Sequence, residues 1–362
     1  MIRSLFKHIF LIITTIFTLC FLVGLSAQWI SPKVWVIPTY FVMLMPIWTL
    51  IMFGCIIFWL CCKKWIYALI LVLFMILTFG QWRNVIVLNI PTKSEKETIK
   101  ILTFNTHIFN NHNDNGFDKI AEFIKNSDAD IVCLQEFGHF HRYGTSKKDI
   151  LKFFDSIYPY RHLWFKNQHK WGENGLATFS RYPIINKKKI EYQSADNISI
   201  YSDIVIKNDT IRVINNHLES NKLNQEDRKF AEKLIAESNN KQEILNAGKN
   251  VSNRIASGAM NRIEQAKAVR DIIETTSHYV IALGDFNDVA LSYTYNVIGC
   301  DLQNAYSKGG NWGYYWTYNK NAMLFAIDHI LVDKNFHIIN SNVHKEMKVS
   351  DHYPLSCEIE IP

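Results

Sequence analysis

The chain opens with three long stretches that contain no charged side chain: Ile9 to Pro32, Val34 to Cys62 and Trp65 to Trp82. Each is close to the ~20 residues that carry a helix across ~30 Å of hydrocarbon. In lipid only a self-satisfied backbone is stable, so a helix is the expected form. The pattern predicts three transmembrane helices, at about 9–28, 35–60 and 65–83. The first stretch also resembles a signal peptide, with Arg3 and Lys7 ahead of an apolar core. It is longer than an ordinary apolar region of that kind and two more stretches follow, so it reads as a retained span.

Basic residues give this anchor an orientation. Arg3, Lys7 and His8 precede the first span, Lys63 and Lys64 separate the second from the third, and only Lys33 lies between the first and second. The positive-inside bias places the N-terminus and the Lys63–Lys64 turn in the cytoplasm. An odd number of crossings then delivers the remainder to the extracytoplasmic or periplasmic side. Trp29, Trp35, Trp59, Trp65 and Trp82 fall near the span ends, where aromatic belts form.

Residues 91–98, PTKSEKET, are polar and read as a linker. Beyond them the period changes. KILTFN, DADIVCLQEF, NGLATFS, YVIALGD, FAIDHILVD and PLSCEIEI read as strands, and ISIYSDIVIKNDTIRVINNH as a hairpin turning at Lys207–Thr210. FDKIAEFIKNS and RIEQAKAVRDIIETTS carry apolar residues at helical spacing. Residues 221–258 are rich in Asn, Lys, Glu and Gln, and form a polar insertion that is either helical or a mobile excursion.

Charge separates the two parts. Residues 1–98 hold eight Lys/Arg and two Asp/Glu, so the net +6 of the chain belongs to them and residues 99–362 are neutral. A dedicated nucleic-acid binder is expected to be basic, and this domain is not. Seven cysteines show no CxxC spacing; Cys133, inside a strand pattern, reads as a buried free thiol.

The strand ends share one chemistry. Asn105, Glu136, Asn216 with His217, Asp285 with Asn287, and Asp328 with His329 follow apolar runs, and Asp351 with His352 precedes Pro354. One acid at a strand end is usually a turn residue or a cap. Six such ends supplying carboxylates, amides and imidazoles suggest a site that holds a hard cation, Mg²⁺ or Mn²⁺ rather than zinc.

The stretches TFNTH, CLQEFG, NGLATFSRYPI, NNHLES, ALGDFND, IDHILV and SDHYPL, spanning about 102 to 357, resemble the endonuclease/exonuclease/phosphatase superfamily, also called the DNase-I-like fold. The resemblance implies a four-layer α/β sandwich: two packed mixed β-sheets flanked by helices. It implies Glu136 as principal metal ligand with Asn105 and Asp351 near the metal. Asp285 would activate water and Asn287 would hold it or a phosphate oxygen. Asp328 would fix the tautomer of His352, and His217 would contact the phosphate or leaving group. Glu173 would pair with His217, and Asn216 would support it. His329 alternates to the opposite strand face and reads as structural, as do Arg262 and Gln265. His107, His112, His139 and His141 lie in loops after the first two strands, where they line the site rim, chelate adventitious metal or, the preferred reading, play no part, and the aromatic stretch 312–319 reads as a pocket wall or core closure.

The function expected is a membrane-anchored, Mg-dependent phosphoesterase. Its substrate would be a phosphodiester, a lipid headgroup or other envelope phosphate ester, attacked by an activated water. A DNase-like nuclease acting on extracytoplasmic nucleic acid is the alternative, and an inactive membrane-bound binding module a second. The lipid bilayer is the expected partner; no protein partner is inferred.

Overall fold

The computed structural model describes residues 2–89, 94, 96–109, 115–140, 146–169, 172–194, 196–223, 241–320 and 323–362. His112, His141, residues 91–93 and 95 of the linker and residues 224–240 of the polar insertion lie outside the described residues.

The N-terminal stretches form helices, but not three uniform spans. Helix α1 (Ile2–Ser26) contains the apolar span Leu5–Ser26, long and apolar enough to cross a membrane. The second stretch divides into α2 (Ile37–Met43) and α3 (Met45–Cys61), bent by 70°. Pro46 sits in the first turn of α3. There its missing N–H is harmless, whereas in an uninterrupted helix its ring would clash one turn back. The third stretch breaks at Thr78 into α4 (Trp65–Leu77) and α5 (Phe79–Trp82). The Trp82 indole donates to the Met75 carbonyl at 2.8 Å and so stabilises the break. Thirteen helical residues in α4 rise only about 20 Å. The expectation of three spans is therefore corrected to one clear candidate, or two if the bent pair is one span.

The strands follow as β1 (Ile86–Val87), β2 (Thr98–Asn105), β3 (Ile131–Phe140), β4 (Tyr160–His169), β5 (Gly172–Ser180), β6 (Ile184–Ile190), β7 (Ile198–Ile206) and β8 (Asp209–His217). Then come β9 (Tyr279–Asp285), β10 (Leu302–Asn304), β11 (Gly313–Tyr314), β12 (Tyr318–Lys320), β13 (Met323–Phe325), β14 (Asp328–Asp333), β15 (His337–Val343) and β16 (Leu355–Glu360). One sheet has the order β15-β16-β2-β3-β5-β4 and the other β10-β14-β9-β8-β7-β6. Each has one parallel pair, β2 with β3 and β8 with β9.

Period-2 alternation explains the layering. Ile99, Ile101, Ile131, Cys133, Ile211, Val213, Ile281 and Leu283 pack between the sheets. The alternate residues Leu102, Phe104, Val132 and Leu134 pack outward against α6 (Gly116–Ser127) and α7 (Lys147–Asp155). On the other outer face, α8 (Lys241–Glu274) lays Ala266, Val269 and Ile273 over Ile214 and Ala282. The helix expected near 262–277 thus begins further upstream, and the C-terminal part of the polar insertion is helical. Two short helices, α9 (Tyr293–Gly299) and α10 (Ala305–Gly309), complete the domain. The result is the four-layer α/β sandwich expected.

Polar bonds also join the sheets. Gln135 Nε2 donates to Asn215 Oδ1 at 2.7 Å, and Asn215 Nδ2 donates to the Ala177 carbonyl at 3.0 Å. Both residues are fully buried. His162 Nδ1, on the edge strand β4, lies 2.9 Å from Ser202 Oγ of the opposite sheet. Burial, with a smaller push from Lys187, lowers the pKa of His162 from 6.5 to about 4. A histidine kept neutral in the fold stabilises it fully above 6.5, and that contribution fades as pH falls to 4. Its size is about 3 kcal/mol. Scanning calorimetry from about pH 7 to about pH 4 should show a smaller fall in Tm for His162→Gln than for the native chain; parallel curves would count against this linkage.

Candidate active site

The inter-sheet rows do not stay apolar to their ends. Continuing the alternation beyond Leu283, Val213 and Ile330 brings Asp285, then Asn215 and His217, and Asp328 onto the same inner face. Asp285 is in register with His217 on one side and Asp328 on the other. The other sheet contributes Asn105 from the end of β2.

Glu136 breaks the parity. Simple alternation would turn it outward beside Leu134. Instead the register of β3 against β5 shifts between Leu134 and Phe137, and Glu136 adopts φ 48°. This bulge re-aims the carboxylate towards the site. Asn287, at φ 51°, and His107, at φ 48°, are left-handed there as well. Gly284 has φ 119°, and a Cβ on it would lie 2.2 Å from the Asn216 carbonyl oxygen. Only glycine fits that approach.

Asp285 is the hub. Asn105 Nδ2 donates to its Oδ2 at 3.0 Å, and the Asn287 backbone N–H to its Oδ1 at 2.8 Å. His217 Nε2 and His352 Nε2 each lie 3.7 Å from Oδ2. His352 Nδ1 is 2.8 Å from Asp328 Oδ2. The loop carrying Asp351 and His352 is tied down by Ser350 Oγ, which donates to the Asn105 carbonyl at 2.7 Å. Thr317 Oγ1 accepts the Asp328 N–H at 3.0 Å and so fixes the opposite partner.

A second cluster lies beside it. His107 Nδ1 sits 3.5 Å from Glu136 Oε2 and 3.4 Å from Asp351 Oδ1. Lys320 Nζ is 3.3 Å from Asp351 Oδ2, and His217 Nε2 is 3.9 Å from Glu136 Oε1. Asp285, His217 and His352 of the first cluster and His107, Glu136, Asp351 and Lys320 of the second line one cavity of about 460 Å³, together with Asn287 and Tyr318.

The electrostatics divide the acids. Burial opposes ionisation of Glu136, yet hydrogen bonding to His107 and the charges of His217, His107 and His352 pull its pKa down to about 2. Asp351 is lowered likewise, against burial, by His352, His107 and Lys320. Asp285 goes the other way: burial raises it, and the charge of Asp328 adds to the rise. Burial also disfavours protonated His352, but Asp328 and Asp285 outweigh this and raise its pKa to about 10. His107 is raised, chiefly by its hydrogen bond to Glu136.

Asp285, Asp328 and His352 offer ligand atoms within 4.8 Å of one another. The His352–Asp328 bond already uses that set internally, and an imidazolium there repels a cation. The better donors are Glu136 and Asp351, two ionised carboxylates that face the cavity and whose oxygens are not committed to a buried imidazolium pair. Hard oxygen donors of this kind fit Mg²⁺ or Mn²⁺.

Some expected roles find a different geometry. Asn105 turns its amide nitrogen, not its oxygen, to the carboxylates, since its Oδ1 accepts the His107 backbone N–H at 3.1 Å. Glu173 does not pair with His217; it forms an ion pair with Lys147 and lies 3.8 Å from His139. Asn216 accepts from Ser199 and donates to the Leu283 carbonyl at 3.0 Å, which ties β8 to its neighbours away from the cavity. His329 is buried on the outer face with Nε2 2.9 Å from the Asp288 carbonyl oxygen. Arg262 is held by Asp288 and the Glu219 carbonyl. Lys320 was not expected at the site, and His107 only as the less favoured rim residue. The signal available for His107 was its place two residues after Asn105.

If Asp328 holds the proton on His352, replacing it with Asn should lower the His352 pKa from about 10 by roughly one unit or more. NMR titration of the imidazole reads this directly, and an unchanged titration would remove Asp328 from that role.

A family model described as the Endonuclease/Exonuclease/phosphatase family matches residues 102–352. A second, described as a domain of unknown function, matches residues 7–85. No curated protein matches the chain. Among solved structures, an endonuclease/exonuclease/phosphatase family protein from Leptotrichia buccalis is similar with a TM-score of 0.51 at 18% identity, covering 73% of this chain and 100% of that one. A 3′ phosphatase from Neisseria bound to product DNA hairpin is similar with a TM-score of 0.50 at 17% identity, covering 73% and 100%. At these identities the likeness speaks to the fold.

Proposed function

The chain belongs to the endonuclease/exonuclease/phosphatase family, a family of phosphoester hydrolases, and from that premise we propose a membrane-anchored, divalent-metal-dependent phosphodiesterase. Its substrate is a lipid headgroup or another envelope phosphate ester, reached on the extracytoplasmic side. The observation that carries the chemistry is the convergence on Asp285 of Asn105, His217 and the His352–Asp328 pair, with Asp285, His217 and His352 lining one cavity.

Glu136 and Asp351 are the residues that would hold the metal, with Asn105 steering the Glu136 carboxylate through its amide nitrogen at 3.4 Å. A hard divalent cation there supplies neutralisation of the phosphate oxygens and of the charge that develops on them. Asp285 takes a proton from the attacking water; its raised pKa makes it a stronger base than an ordinary carboxylate. Its two hydrogen bonds, from Asn105 and the Asn287 N–H, fix where its lone pairs point. His352, kept protonated by Asp328, presents a positive edge to the phosphate in a buried setting, where such a charge acts strongly. His217 faces the same point. The oxygen of water bonds to phosphorus, one P–O ester bond breaks, and the departing alkoxide is protonated to the alcohol.

The location rests on α1 and on charge. Leu5, Ile12, Ile16 and Leu19 of α1 are exposed apolar side chains, as a lipid-facing helix requires. The basic residues ahead of α1 favour a cytoplasmic N-terminus, and one crossing by α1 then delivers the catalytic domain to the opposite side. The neutrality of residues 99–362 favours a small headgroup over a polyanion.

Full-length protein in detergent should hydrolyse bis(p-nitrophenyl) phosphate with added Mg²⁺ or Mn²⁺ and lose that activity in EDTA. Glu136→Gln and Asp285→Asn should each lower kcat by about a hundredfold or more. Indifference to chelation would remove the metal, and near-native rates in both variants would remove the site.

A further inference from the structure

The cavity has a wall that the catalytic domain does not supply. Thr39 and Met43, one helical turn apart on α2, line the same space as Glu136, Asp285 and His352. Ile255 of α8 and Leu223, Val289, Phe325 and Ile327 line it too. The cavity therefore has carboxylates and imidazoles at its floor, and on its other walls these apolar side chains stand among polar ones such as Asn197, Asn221 and Lys222. Sites commonly pair an apolar lining with a few convergent polar groups, and the lining matches the apolar surface of what binds.

This wall is fixed in place. Tyr40 Oη donates to the Ser252 carbonyl of α8 at 3.1 Å, and Lys33 Nζ lies 2.8 Å from Glu264. Asn296 Nδ2 donates to the Gln28 carbonyl at 2.9 Å, and Arg83 to the Ser307 carbonyl at 3.1 Å. Strand β1 pairs with β11 of the catalytic domain. Val42, Met45 and Leu25 of the N-terminal region belong to one apolar cluster with Ala290, Leu291 and Tyr295. Seven helical residues held by contacts on both sides form a surface of the site, beyond the role of a tether.

We propose that α2 is the substrate-specificity wall of this enzyme. In this role Thr39 and Met43 contact the apolar part of an amphiphilic phosphodiester while its phosphate lies against Asp285 and His352. The proposal rests on the phosphoesterase reading above and narrows its substrate to esters bearing a hydrocarbon arm. The surroundings of α2 agree. Val34 is 82% exposed and Trp35 45%, and these apolar side chains stand directly before it. The 70° bend from α3 turns α2 across the direction of that helix.

The test uses full-length protein in detergent micelles with added Mg²⁺ and two substrates that share a leaving group: dodecyl p-nitrophenyl phosphate and ethyl p-nitrophenyl phosphate. The readout is the ratio of kcat/KM for the dodecyl ester over the ethyl ester. The native chain should favour the dodecyl ester by about tenfold or more, and Met43→Ala should lower the ratio by about tenfold. Met43→Leu, of similar volume and polarity, should retain it, and Thr39→Val should not lower it. A native ratio near one overturns the proposal and leaves the phosphoesterase reading standing. So does a Met43→Ala variant that loses both activities equally, since that marks a structural role. If the native chain hydrolyses neither ester, the phosphoesterase reading falls and the proposal with it.

Discussion

The register of one sheet on the other is the constraint on which the site depends. Asn105, Glu136, Asp351 and His352 come from one sheet or the loop entering it; His217, Asp285 and Asp328 come from the other. Sheets packed face to face stand about 10 Å apart, whereas the site needs its atoms placed to within a fraction of an ångström. Apolar packing is non-directional and does not supply that accuracy. The buried Gln135–Asn215 bond of 2.7 Å and the Asn105–Asp285 bond of 3.0 Å do, because each has one geometry and crosses between the sheets. Leaving either buried amide unpaired would be costly, which makes a slipped arrangement unfavourable.

The same closeness creates the electrostatic pattern. Burying Asp285 beside Asp328 destabilises two negative charges at once, and His352 between them offsets this by holding a proton. Glu136 and Asp351 sit at the cavity, where His107 and Lys320 or a cation can balance them. The acids thus divide into one of raised pKa, one bonded to an imidazole, and two held ionised. Their residue types are alike; their surroundings separate them, as general acid–base sites require.

Much of this was legible in the chain. The alternation that buries Ile281 and Leu283 carries Asp285 to the inner face, and the same count places His217 and Asp328 there and His329 on the outer one. Glu136 was legible as chemistry but not as geometry, because its bulge reverses the parity that period-2 counting assigns. Glu173 was misassigned: its neighbour Lys147 lies on a different element, and strand counting says nothing of such a neighbour. His107 was passed over because a loop histidine has no period to be read by. The three apolar stretches were legible as apolar and misleading as spans, since hydropathy does not register the break that Pro46 imposes between α2 and α3.

That break joins the two halves of the molecule. An uninterrupted helix over 35–60 would run past the catalytic domain and present to it only the flank of a rod. Ending the helix at Met43 frees a short segment to turn aside and lie against α8, held there by Tyr40 and Lys33. A length of chain that composition marks as lipid-facing thereby reaches the acids at the ends of β3 and β9. The polar stretch before Gly258, which has no evident role in the sequence, becomes the other side of that contact through Ser252 and Ile255. The apolar N-terminal region and the polar insertion, apart in sequence and unlike in composition, line one cavity together, Thr39 and Met43 from the first and Ile255 from the second facing the same space as Glu136 and Asp285.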